Sequence, residues 1–179
     1  MDRAADRRLA ARAVRDRPAD ILAAGLAGAA LSGVPSTVHA LVTGGDVLAS
    51  GRAAGKMLLP RERRTARLLA AAVPVHLALS LGWTAVLAPL MPRGAEVSAG
   101  VAGALAIAAL DLQLIAPRRF PAVRALRQAP QWADHVAFGV TVGAVLASRR
   151  RAAARLSRTG WPTRDADSPP GWPWRAPDL

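Results

Sequence analysis

Apolar residues fall in long uncharged blocks along this chain, and almost every charge falls between them. The run at 21–42, ILAAGLAGAALSGVPSTVHALV, holds no charged residue. At about 1.5 Å of rise per residue, a helix of that length reaches across a bilayer core of roughly 30 Å. Similar runs follow at 66–90, carrying His76; at 97–116, interrupted by Asp111 and Gln113; and at 132–148, bounded by PRRFPAVRALRQAPQ before it and by Arg149, Arg150 and Arg151 after. The pattern predicts an all-α integral membrane bundle of four transmembrane helices over 18–150, with spans near 20–43, 66–90, 97–116 and 132–148. Pro18 and Asp20 suit the start of the first span, and Pro35 predicts a kink near Leu31 to Gly33. Pro74 and Pro89 are the expected kink and terminator of the second span, and MPRGAE at 91–96 is a tight connection.

The segments between the blocks have their own pattern. Val47, Gly51, Ala54 and Leu58 share one helical face while Arg52 and Lys56 lie on another, which predicts a short interfacial helix ended by Pro60. Residues 1–17 form a basic N-terminal segment with Arg3, Arg7, Arg8, Arg12, Arg15 and Arg17. The tail at 151–179 is basic and rich in Pro from Thr159 onward, a composition expected to be disordered. Its Trp161, Trp172 and Trp174 suit either docking on a membrane or partner surface, or a solvated tail. A basic start, an apolar stretch at 21–34 and the Val38-x-Ala40 pair together imitate a cleaved signal peptide, but Leu41 and Val42 continue the apolar run and favour a kinked span.

Composition sharpens this picture. Hydrophobic residues make up 52% of the 179, yet aromatics only 4% and Tyr none, so the apolar mass is small residues that pack closely in lipid. The formal charge of +12 would suit nucleic acid in a soluble chain; here the Arg clusters and the single Lys56 flank apolar spans, and anionic lipid headgroups are the expected partner, with no nucleic acid. With the four spans in place, 14 basic residues fall on the side of the two termini and 10 on the other. That excess predicts a multi-pass plasma-membrane protein with cytoplasmic termini. The absence of Cys removes disulfides, thiolate metal sites and cysteine nucleophiles.

If the spans alternate, the ionisable residues within them gather at one depth. His39 lies about 6 Å from the end of the first span, His76 about 15 Å into the second, Asp111 roughly 8 Å from the end of the third, and Asp134 and His135 within about 5 Å of the start of the fourth. All five fall in one half of the membrane, with Gln113 beside them and Ser36, Thr37 and Ser80 nearer mid-depth. Such groups are costly in hydrocarbon unless they face a bundle interior and pair, so a polar layer is expected in which Asp111 accepts from His76 or His135. Three of them, His39, Asp134 and His135, also suit the headgroup boundary, where polar groups are cheap.

No metal site is expected, because the three His come from separate helices without clustered spacing. Ser36 and Ser80 stand near His39 and His76, but serines on membrane helices commonly bond their own backbone. No glycine-rich nucleotide loop occurs, and neither a cofactor nor a catalytic residue is assigned. Small residues recur at helical spacing, and Gly25, Gly28, Gly139 and Gly143 are the expected helix-packing positions. The sequence leaves open whether they pack within one chain or between copies in a homo-oligomer.

The stretches GVPSTVHAL at 33–41, PVHLALSLGW at 74–83 and PQWADHVAFG at 130–139 resemble those of uncharacterised small polytopic membrane proteins of high-GC actinobacteria. The resemblance implies a bacterial membrane address and no activity. Two functions suit the pattern: a small transporter-like or proton-linked permeation protein using the His and Asp layer, or a non-catalytic structural or partner-binding membrane subunit. His76 bonded to Asp111 beside a cavity would fit the first; a solid bundle interior would fit the second.

Overall fold

The first apolar run folds as two helices, α1 (Pro18–Ser32) and α2 (Val34–Val42), which part at Gly33. The break follows from Pro35, whose ring has no N–H and crowds the carbonyl four residues back. The computed structural model describes residues 16–158, and every regular element among them is helical. Asp46 opens the next element: its carboxylate accepts from the Leu48 amide at 2.9 Å and pairs with Arg52, fixing the turn ahead of α3 (Ala49–Leu58). Next, α4 (Thr65–Leu87) runs unbroken through Pro74 and ends in a 3₁₀ turn, Ala88–Leu90, that contains Pro89. Gly94, at φ 86°, supplies the left-handed residue that the tight 91–96 connection needs. Beyond it, α5 (Glu96–Ala108) widens into a π-helical stretch, Ala109–Ile115, before α6 (Ala116–Arg119), α7 (Pro121–Arg124) and the long α8 (Gln128–Arg158).

Three stretches are long and apolar enough to cross a membrane: Pro18–Val42, Thr65–Leu90 and Glu96–Arg119, of 25, 26 and 24 residues. At about 1.5 Å per residue each exceeds a hydrocarbon core of roughly 30 Å. Residues 132–148, expected as a fourth span, do not meet the same test. The apolar part of α8 from Trp132 to Ala147 covers only about 24 Å, and Asp134 and His135 lie within it. What sequence could not register is where α8 sits. It packs along α5 on one side and along α1 and α2 on the other, with Phe138, Val142, Leu146 and Ala147 buried. A helix sheathed by neighbours has less need of an apolar circumference.

Backbone contact at glycine holds this arrangement. A Cβ on Gly100 would run into the Gly139 carbonyl, and one on Gly139 into the Gly100 carbonyl, so α5 and α8 cross with main chains touching. Gly143 lies against the backbone of Glu96 and Val97 one turn further along, Gly28 against Phe138 and Val142, and Gly25 against Leu81 and Thr84. The expected interfacial helix α3 is a packed element too: Gly55 abuts the Leu68 backbone and Gly51 the Leu69 side chain, which seats α3 on the first turns of α4.

The largest apolar cluster joins Ala24, Leu87, Ala88, Met91, Ile107, Phe138, Val142 and Leu146, with Trp83 packed against it. It fills the half of the bundle toward the 91–96 connection; His76, Asp111, Asp134 and His135 occupy the other half. Residues 151–158, expected as the start of the tail, continue α8 as helix. The basic segment up to residue 15 and the Trp-containing stretch from 159 lie outside the described residues.

Candidate functional site

Breaking a helix frees backbone groups, and in α1–α2 two titratable side chains take them. Gly33 turns its N–H to the Leu31 carbonyl, so the Ala29 carbonyl loses its ordinary helical donor. His76 of α4 fills that place, with Nε2 at 2.8 Å from the Ala29 oxygen and 3.5 Å from the Ser32 hydroxyl. Because a carbonyl only accepts, Nε2 carries the proton in this contact. On the other side of the break, the Ser36 amide is in the first turn of α2 and has no partner within its own helix. It donates to Asp134 of α8 at 2.8 Å. A carboxylate at a helix N-terminus also meets the positive end of the helix dipole. Ser36 and Thr37 hydroxyls close the remaining gap by donating to the Gly33 carbonyl at 3.2 and 2.8 Å.

A second pair lies beside the first. His135 Nδ1 donates to the Gln131 carbonyl at 2.8 Å, which leaves Nε2 facing Asp111 Oδ2 at 3.8 Å. Asp111 stands in the π-helical stretch, and its carbonyl accepts from the Ala116 amide across the widened turn. Pro117 follows directly, and its missing N–H and the clash with residue 113 are a local reason for the irregular winding. π-helical turns of this kind recur at functional positions. Asp134 is within electrostatic reach of both His135 and His76, so the two pairs form one layer.

His39 stands at the rim, with Arg127 Nη1 at 3.5 Å from its Nε2, and Gln131 donates to the Ser50 hydroxyl at 3.1 Å, tying α8 to α3. Gln113 points outward and is exposed, and Ser80 is buried with its carbonyl accepting from the Thr84 hydroxyl at 2.7 Å. Of the two partners expected for Asp111, His135 is the one that faces it, while His76 meets the backbone of α1 instead. Among the described residues no three His, Asp or Glu side chains converge as metal ligands. Two open recesses lie at Leu58–Glu62 and between α3, α4 and α7; neither is lined by a residue of the layer.

The opposite end of the bundle holds a charged node that sequence reasoning missed. Arg150 reads there as one of three consecutive arginines in a solvated flank, yet its side chain is only 9% exposed, and its partners Asp16 and Glu96 are 8% and 6% exposed. Its Nε and Nη2 donate to the two Asp16 oxygens at 2.7 and 2.5 Å, Nη2 also to the Ala88 carbonyl at 2.9 Å, and Nη1 to the Met91 carbonyl at 2.9 Å and to Glu96 at 3.3 Å. All the N–H donors of a guanidinium are thereby used. The hydrogen bonds to Asp16 raise the Arg150 pKa further above its ordinary value, so it stays charged. Only the acids at matching depth, Asp16 and Glu96, hinted at a partner, and a run of three arginines does not disclose which one turns inward.

Comparison with family models, with curated proteins and with solved structures gives no match for this chain.

Proposed function

We propose that this chain is an integral plasma-membrane protein in which α8 crosses with the three apolar spans, and that it acts as a non-catalytic, helix-packing subunit rather than as a conduit. The observation that carries the reading is the state of the broken helix. Discontinuous membrane helices bind ions or substrates when their free backbone groups line a cavity. Here His76 already occupies the Ala29 carbonyl and Asp134 the Ser36 amide. The layer therefore braces α4 and α8 against the break, as neighbouring helices do for irregular backbone in lipid. Gly25, Gly28, Gly100, Gly139 and Gly143 are consumed by crossings inside the chain, whereas nothing lies within 4 Å of a Cβ placed on Gly82 of α4. That exposed position is where a further membrane helix would approach most closely.

Reconstitution tests the reading. Vesicles holding the protein and a trapped pH-sensitive dye are expected to dissipate an imposed pH gradient no faster than empty vesicles. In detergent, His76→Ala and Asp134→Ala are expected to lower the unfolding midpoint. Flux above background that Asp111→Asn abolishes would overturn it.

One specific observation favours the alternative of proton-linked permeation. The Nε2 of His135 on α8 lies 3.8 Å from Asp111 Oδ2 in the π-helical segment, a separation that a small approach of the two side chains would close into a proton-passing hydrogen bond. The same flux assay separates the two readings.

A further inference from the structure

Between α3, the start of α4 and α7 lies an open recess of about 450 Å³ whose rim is cationic and whose floor is apolar. Arg52, Lys56 and Arg63 stand around it, with Ala49, Ala122 and Ala125 among the apolar residues that line it. The charges on this rim are not equivalent. Asp46 pairs with Arg52, and the hydrogen bond raises the Arg52 pKa above its ordinary value while holding the Asp46 carboxyl low, so their charges cancel. Glu62 is likewise compensated: it accepts from the Arg64 and Arg63 amides and pairs with Arg67 at 3.2 Å. Lys56 and Arg63 have no ion-pair partner among the described residues, and both are exposed. Thr65, also in the lining, is the first residue of α4, so the recess opens where that span leaves the hydrocarbon.

We infer that this recess binds the phosphate group of an anionic phospholipid, with Lys56 and Arg63 on the phosphate and the glycerol end of the acyl chains against Ala49, Ala122 and Ala125. Charge alone would attract any anion; the apolar floor at headgroup depth is what selects a lipid over a free phosphate. Basic recesses beside membrane helices bind lipid headgroups by this combination. The inference rests on the membrane placement proposed above and is independent of the His and Asp layer.

The test uses the full chain in nanodiscs of phosphatidylcholine doped with phosphatidylglycerol, with co-purifying lipid read by mass spectrometry after exchange into detergent. Wild type is expected to retain phosphatidylglycerol over phosphatidylcholine. Lys56→Gln with Arg63→Gln is expected to lower that preference by roughly ten- to thirty-fold, from about 1 kcal/mol per basic residue at a membrane surface. Arg118→Gln with Arg119→Gln, at the same depth but outside the recess, is expected to leave it within about two-fold. Ala125→Trp keeps every charge and fills the recess, and is expected to weaken retention as well. Equal loss in the Arg118 and Arg119 variant, or no loss on removing Lys56 and Arg63 from a protein that still elutes as a single folded species, would overturn the site. Displacement of the lipid by millimolar inorganic phosphate would also overturn it, assigning the rim to a free anion. Failure of the chain to enter nanodiscs at all would instead remove the membrane placement.

Discussion

Replacing Arg150 by Met keeps most of the side-chain volume and deletes the charge, which isolates what the node at the end of α8 contributes. The substitution strands two carboxylates that are at most 8% exposed, Asp16 and Glu96, and removes a donor from the Ala88 and Met91 carbonyls. Removing one member of a buried ion pair costs about 3–5 kcal/mol, and each orphaned carbonyl adds about 1 kcal/mol. A loss of roughly 5–7 kcal/mol is therefore expected, a large share of the stability of any small domain. Arg150→Lys retains the charge but has three donors where the guanidinium has five, so an intermediate loss of about 2 kcal/mol is expected. Arg151, its exposed neighbour, serves as the control, and Arg151→Met is expected to change stability by no more than about 0.5 kcal/mol. Unfolding in mild detergent can be followed through the fluorescence of Trp83, which packs against the apolar core beside this end of the bundle. Indistinguishable midpoints for Arg150→Met and Arg151→Met would refute the reasoning, because a solvated arginine would then have been mistaken for a buried brace.

Gly139→Leu sets a side chain against the Gly100 carbonyl and is expected to separate α5 from α8, giving a species that aggregates on size exclusion; Gly82→Leu, facing open space, is expected to elute as wild type. Asp134→Ala leaves the Ser36 amide without an acceptor and is expected to cost about 1–3 kcal/mol, most of it recovered by Asp134→Asn, whose carbonyl still accepts. The 43–64 segment is expected to loosen in acid. The Arg52 hydrogen bond holds the Asp46 carboxyl below its ordinary range, and the Arg64 and Arg63 amides do the same for Glu62. A carboxyl depressed on folding stabilises the folded state at neutral pH and loses that contribution as the pH falls through the carboxylate range. Asp46 is exposed and Glu62 half-buried at the surface, so the effect is small, and it is read as faster proteolytic nicking of this segment below about pH 4. Nicking that does not change with pH, or that is fastest at neutral pH, would contradict the assignment.

The sequence by itself determined the helical class and the three helices long and apolar enough to cross a membrane, because length and apolar composition can be read residue by residue. It also determined the break in the first span, since Pro35 lacks an N–H wherever it is placed. The identity of the layer residues was visible in the same way: His76, Asp111, Asp134 and His135 are conspicuous simply for interrupting apolar runs. Their pairing was open between His76 and His135 for Asp111, and the backbone partners of His76 and Asp134 were not visible. That depends on how α1, α4, α5 and α8 are rotated about their axes, which the glycine crossings set, and a one-residue rotation of about 100° would replace every partner. Only the tertiary structure decided that His76 and Asp134 serve the backbone of α1 and α2, that Arg150 is buried while Arg151 is exposed, and that α3 rests on α4. Burial and hydrogen bonding belong to pairs of helices, and the pattern along one helix records a single partner of each pair.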